Sequence, residues 1–188
     1  MKPLTQYRWL GFFPLALFIV RLLDYVKWGT PEQMLWSCHI ANLLLAVGLF
    51  FAFPLALRVG ALWAILGLLP WALDMFTTHI IWPVSWLSHL GGAALGFWVL
   101  YQLRSERHTW WQAWLWFLGL QQLCRFVTKP ELNVNVAHHS YGATQTWFTS
   151  YWQYWLVNSL LAAVVLWLLH QILWWMFRPA DHTTSNIN

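Results

Sequence analysis

Residues 35–53 read LWSCHIANLLLAVGLFFAF, and the fold follows from what this stretch can be. About 20 residues of helix cross a hydrocarbon core of about 30 Å, and this run has the length and apolarity to do so. Yet it opens with Cys38, His39 and Asn42. Polar and reactive side chains are costly in lipid, and there they mark a functional site by default. Cys38 and Asn42, four apart, share one helix face, with His39 turned from it by about 100°.

The composition agrees with a membrane setting. Of 188 residues, 60% are hydrophobic and only 9% charged, where a soluble domain carries about 25% charged residues. The net charge of +4 does not point to nucleic acid, because the ten Lys and Arg form no cluster. They read as topology signals, and the lipid bilayer is the partner. Cys38 and Cys124 are too few for a disulfide framework. Arg21 and Asp24 interrupt the end of the first apolar run and no small-residue cleavage site follows, so that run is expected to be a membrane helix and not a removed signal.

Six apolar runs emerge, at residues 9–26, 35–53, 55–76, 82–103, 110–127 and 151–177. None alternates as a barrel strand does, so helices are expected. The fold class predicted is all-α: a polytopic six-helix transmembrane bundle forming one domain over residues 1–178, with a polar tail at 179–188. Pro14 and Pro70 fall inside runs where kinks are tolerated, and Pro54 closes the second run. Trp and Tyr at the run ends, such as Trp110, Trp111, Tyr151, Trp152, Trp174 and Trp175, suit interfacial belts.

With six helices, Lys2, Arg8, Arg58, Arg104, Arg107 and Arg178 share one side. The positive-inside rule makes that side cytoplasmic and places both termini there, in the cell inner membrane. Cys38, His39, Asp74, His79, His89, His138 and His139 then gather in the outer half. His108, His170 and His182 fall on the inner side. The long segment 128–150, TKPELNVNVAHHSYGATQTWFTS, is expected to cap this outer half, because loops of such length tend to be lids or binding segments.

Two chemistries fit these parts. In the first, Cys38 is a nucleophile served by a histidine base, His89 or His39, with Asn42 among the groups holding a developing oxyanion. Asp74, Asn133, Asn135 and Tyr141 would contact a lipid-like acyl ester, and no cofactor is needed. In the second, Cys38, His39, His89 and one of His138 or His139 hold zinc or copper, since thiolate and imidazole suit those metals. The spacing matches no compact metal motif. A third class, a non-enzymatic membrane binding subunit, would use the same polar groups as interhelical glue. Ser85 and His89 are also i, i+4, and Gly91 and Gly92 permit close helix approach. Arg21 and Asp24, three apart, read most simply as an ion pair within one helix.

The order LWSCHIANLLLAVGLF, then LDMF, then SWLSHLGGAALGFWVL, and lastly an Asn-rich loop before YWQYWLVNSLLAAVVLWLL resembles the YwaF-like integral membrane proteins across about residues 33–170. These are similar in turn to transmembrane acyltransferases that remodel ether phospholipids, and more remotely to androgen-induced-type fatty-ester hydrolases. The resemblance implies a six-helix bundle with a Cys at the start of the second helix and a His in the fourth, here Cys38 and His89. The family's His-x-Cys order stands here as Cys38 followed by His39.

Overall fold

The structure is a computed structural model that describes residues 4–78, 83–104 and 106–177. His79, His182 and the tail at 179–188 lie outside the described residues. Among those described, the chain is helical with no strand. The helices are α1 (Phe12–Lys27), α2 (Ser37–Phe50), α3 (Pro54–Leu66), α4 (Leu68–Thr78), α5 (Pro83–Trp86), α6 (Gly92–Leu103), α7 (Thr109–Val127) and α8 (Tyr151–Phe177). A π-helical turn, Leu87–Gly91, joins α5 to α6. By length and composition, three stretches of described helix can cross a membrane: Thr5–Lys27, Pro54–Thr77 and Tyr151–Phe177. The protein is therefore a helical membrane protein. Helix α2 is apolar but shorter, and α7 carries Gln112, Gln121, Gln122 and Arg125 along its length.

Three prolines sit where the missing N–H suits or shapes the helix. Pro54 is the first residue of α3, where no intrahelical donor is needed. Pro70 cannot donate to the carbonyl four residues back, and the helix is interrupted at Gly67, between α3 and α4. Pro14 lies in the first turn of α1, where it is tolerated.

Helix α3 is the centre of the bundle: nine of its residues, Ala56, Leu57, Val59, Gly60, Ala61, Leu62, Trp63, Ala64 and Ile65, are buried. Lipid is as apolar as leucine, so helices associate in it through close packing and hydrogen bonds. The small residues show where this happens. A Cβ added at Gly60 would lie 3.0 Å from the Ala41 carbonyl oxygen of α2, and one at Gly96 of α6 would lie 3.1 Å from Ala61 Cα. Indole N–H groups add fixed links. Trp63 Nε1 donates to Ala113 O (3.2 Å), Trp114 Nε1 to Ser159 O (2.9 Å) and Trp155 Nε1 to Gln121 Oε1 (2.8 Å), tying α3 to α7 and α7 to α8.

Candidate functional site

Four elements bring polar side chains to one place: the middle of α1, the first turns of α2, the break around Gly67 and the π turn. Arg21 and Tyr25 are one turn apart on α1, and both are buried. Arg21 Nη2 donates to Tyr25 Oη at 2.7 Å, and Tyr25 Oη lies 3.1 Å from His39 Nε2. The Tyr25 hydroxyl thus links the guanidinium to the imidazole. Arg21 Nη1 is 3.6 Å from Asp24 Oδ2, which bears out the ion pair. Even so, Arg21 Nε and Nη1 are buried with no hydrogen-bond partner. The guanidinium also lies 4.7 Å from the Tyr25 ring centroid, a cation–π distance.

His89 faces this group from the π turn, a kind of helix irregularity frequent at functional sites. Its Nδ1 donates to Ser85 O at 2.9 Å. That bond fixes the tautomer and leaves Nε2 with its lone pair free for a proton or an electrophile. Trp71 of α4 stacks on the His89 ring at 5.1 Å with an 11° tilt, and its Nε1 donates to Ser85 Oγ at 3.0 Å. The ring is held on both its edge and its face. The His39 and His89 centroids are 6.2 Å apart.

Asn42 Nδ2 donates to Cys38 O and Ser88 O, each at 3.3 Å, and so ties α2 to the π turn. Its Oδ1 is buried without a hydrogen-bond partner and packs against Gly92, where an added Cβ would lie 2.8 Å away. Cys38 is half-buried with a free thiol and rests against Gly67, whose added Cβ would sit 3.3 Å from Cys38 Cβ. The expected quartet of Cys38, His39, Asn42 and His89 is therefore brought together. Arg21, Tyr25 and Trp71 join it, and these the sequence reading did not place in the site.

The remaining expected residues have other surroundings. Asn135 Oδ1 accepts from Ser37 N at 3.0 Å and its Nδ2 donates to Leu35 O at 2.7 Å. It caps the start of α2 from 98 residues away in sequence. Asn133 Oδ1 accepts from the backbone N–H groups of His138 (3.0 Å) and His139 (3.2 Å). Both asparagines use their amides to build the loop. His138 Nε2 pairs with Thr128 Oγ1 at 3.0 Å, and His139 Nδ1 lies 3.1 Å from Asn133 Nδ2. Among the described residues, no group of three or more His, Cys, Asp or Glu side chains is gathered for a metal ion, so the set His39, His89, His138 and His139 is not assembled as a ligand sphere. Asp74 and Tyr141 are exposed.

The loop is closed down and not a loose flap. Gln121 Nε2 donates to Asn135 O (3.0 Å), Arg125 Nη1 to Ala137 O (2.9 Å) and Tyr151 Oη to Val136 O (3.3 Å). These clamps hold Asn133, Asn135 and Val136 at positive φ, of 42°, 51° and 57°. Asparagine tolerates that region, but for β-branched Val136 it is strained. Strain of that kind persists only where surrounding contacts over-determine it.

No protein-family model, characterised protein or solved structure matches this chain.

Proposed function

We propose that this chain is a six-span protein of the cell inner membrane, with both termini cytoplasmic and residues 128–150 outside. In this reading it is of the YwaF-like kind and acts as an acyltransferase or hydrolase on a lipid-like ester. The Cys38 thiolate adds to the ester carbonyl, and the thiol proton passes to the His89 Nε2 lone pair. The leaving alcohol takes that proton back as the acyl group stays on sulfur. Water or a second alcohol then attacks the thioester, giving its proton to the same imidazole, and restores the thiol. Nucleophilic catalysis divides one difficult transfer into two easier ones. The Arg21 guanidinium and the Tyr25 hydroxyl are placed to offset the charge that develops beside His39.

The observation that carries this reading is the free Nε2 of a clamped His89, facing His39 and a buried guanidinium with open donors, in the cluster that holds the free thiol of Cys38. Among the described residues, Cys38 Sγ makes no hydrogen bond to either imidazole, and the reading requires that thiol and base meet when substrate is bound.

The test is alkylation of purified protein with an iodoacetamide probe, competed by lysophospholipid and by long-chain fatty esters, together with turnover of a chromogenic long-chain ester. Cys38→Ser should abolish labelling at that site and reduce turnover by at least about a hundredfold, because the thiolate is the reactive species. His89→Ala should slow both alkylation and turnover. Full turnover in Cys38→Ser would end the proposal.

A further inference from the structure

The loop between α7 and α8 has its polarity turned inward. Between Glu131 and Arg178 the sequence holds no Lys, Arg, Asp or Glu, so residues 132–150 carry neither an acidic nor a strongly basic side chain. The polar side chains present serve the fold itself. Asn133 Oδ1 accepts from two backbone N–H groups of the loop, Asn135 caps α2, and Thr144 Oγ1 donates to Tyr141 O at 2.6 Å. Two large aromatic side chains go the other way: Tyr141 is 68% exposed and Trp147 73%. The apolar surface then continues onto α8 without a charge, through Trp152, 55% exposed, and Leu156, 53%.

Local geometry sets the two aromatics on one side. Tyr141 and Trp147 flank the short 3-10 helix Gly142–Thr146, and a turn of three residues returns the chain to the same side at every third position, so residues six apart share a side. Gln145 falls on another, and it is exposed too. The segment therefore presents an indole and a phenol in one direction and an amide in a different one. Rings with an apolar body and a polar tip suit a boundary that is oily on one side and wet on the other.

Depth places that boundary at the loop. Helix α8 has 27 residues, about 40 Å at 1.5 Å per residue, against a core of about 30 Å. Centring the core on α8 puts one hydrocarbon edge near Tyr154. The Phe148 ring packs on Tyr154 at 5.4 Å, so the end of the loop is drawn down to that edge. One turn above, the Arg125 guanidinium lies 4.5 Å from the Tyr151 ring and 4.7 Å from the Trp152 ring, a charge held at headgroup level over apolar side chains. We propose that Tyr141 and Trp147 insert into the headgroup boundary of the leaflet at the start of α8, so that the loop rests on lipid and anchors that end of the helix. Trp and Tyr concentrate at this depth in membrane proteins. The anchor needs neither the acyl chemistry nor a choice of which face of the membrane is outside.

The experiment uses the whole protein in phosphatidylcholine nanodiscs, with each added cysteine followed by peptide mapping so that Cys38 and Cys124 stay in place. All the substituted side chains are exposed, so packing is left intact. Trp147→Cys and Tyr141→Cys should react with a charged maleimide at least about tenfold more slowly than Glu131→Cys and Gln145→Cys, because a thiol in apolar surroundings yields less of the reactive thiolate. In a second measurement, p-benzoylphenylalanine in place of Trp147 should give phospholipid adducts on illumination, as it should in place of Leu160 on the lipid-facing side of α8. The same probe in place of Glu131 should give none. Maleimide reaction at Trp147→Cys as fast as at Glu131→Cys would overturn the proposal, since the loop would then stand in water. So would a photoadduct joining two copies of the chain, which would make the patch a protein interface, and so would the absence of any lipid adduct at position 147.

Discussion

Tyr25 is the residue through which the buried charge of Arg21 reaches an imidazole. Its hydroxyl accepts from Arg21 and pairs with His39 Nε2, so Tyr25→Phe leaves an N–H of Arg21 and the Nε2 of His39 both unpaired. Each stranded buried group costs about 1–3 kcal/mol. Tyr25→Phe should therefore lower the thermal unfolding midpoint in detergent by several degrees, whereas Tyr141→Phe, at an exposed side chain, should not. An unchanged midpoint for Tyr25→Phe would mean that the relay carries no stability. Part of this site was legible in the sequence, because Cys38, His39 and Asn42 stand out against an apolar run and His89 stands one residue before the Leu-Gly-Gly segment. Arg21 and Tyr25 were missed for a physical reason. Asp24 offers Arg21 a local partner three residues away, and nothing in the spacing says that the guanidinium also reaches a tyrosine one turn on. Trp71 was hidden among 18 tryptophans.

At the scale of elements, the contact between α3 and α6 depends on a missing side chain at Gly96. A Cβ there would meet Ala61 backbone atoms at 3.1 and 3.2 Å, and backbone cannot swing aside as a flexible side chain can. Gly96→Val should push the two helices apart at a cost of about 1–3 kcal/mol, read as a lowered unfolding midpoint. Gly119→Val should be milder, since an added Cβ there meets nothing within 4 Å. The apolar runs predicted that the described residues are helical without strands, because apolar sequence in lipid leaves its backbone little alternative to a helix. The interruption at Gly67 was only half legible: Pro70 announces a kink, but the chain breaks three residues earlier, toward the carbonyl that Pro70 cannot serve. The π turn at Leu87–Gly91 has no sequence signal, since one inserted residue leaves the hydrophobic pattern intact. The tryptophans read as interfacial belts also overlooked Trp63, Trp114 and Trp155, whose indoles hydrogen-bond between helices.

For the whole molecule, the distribution of Lys and Arg predicts which side each end faces. Cysteine scanning in intact cells should label Gln145→Cys with an impermeant maleimide from outside and Ser105→Cys only after the membrane is opened. The opposite pattern would invert the topology and carry the polar cluster to the inner half.

The clamp of Asn135 on the first turn of α2 has a consequence for how the protein is made. Synthesis runs from the N-terminus, so α2 leaves the ribosome with its first N–H uncapped, and the side chain that caps it is 98 positions further on. Until the segment after α7 is translated, the start of α2 lacks the contact that fixes it. The same amide closes over the sulfur of Cys124, with Nδ2 at 3.3 Å from Sγ, and Cys124 is fully buried in the finished fold. Chains truncated after residue 128 and released from the ribosome should therefore alkylate readily at Cys124, and chains extending past residue 177 should resist. Protection of Cys124 would thus time the assembly, marking the moment at which the first turn of α2 acquires its final shape.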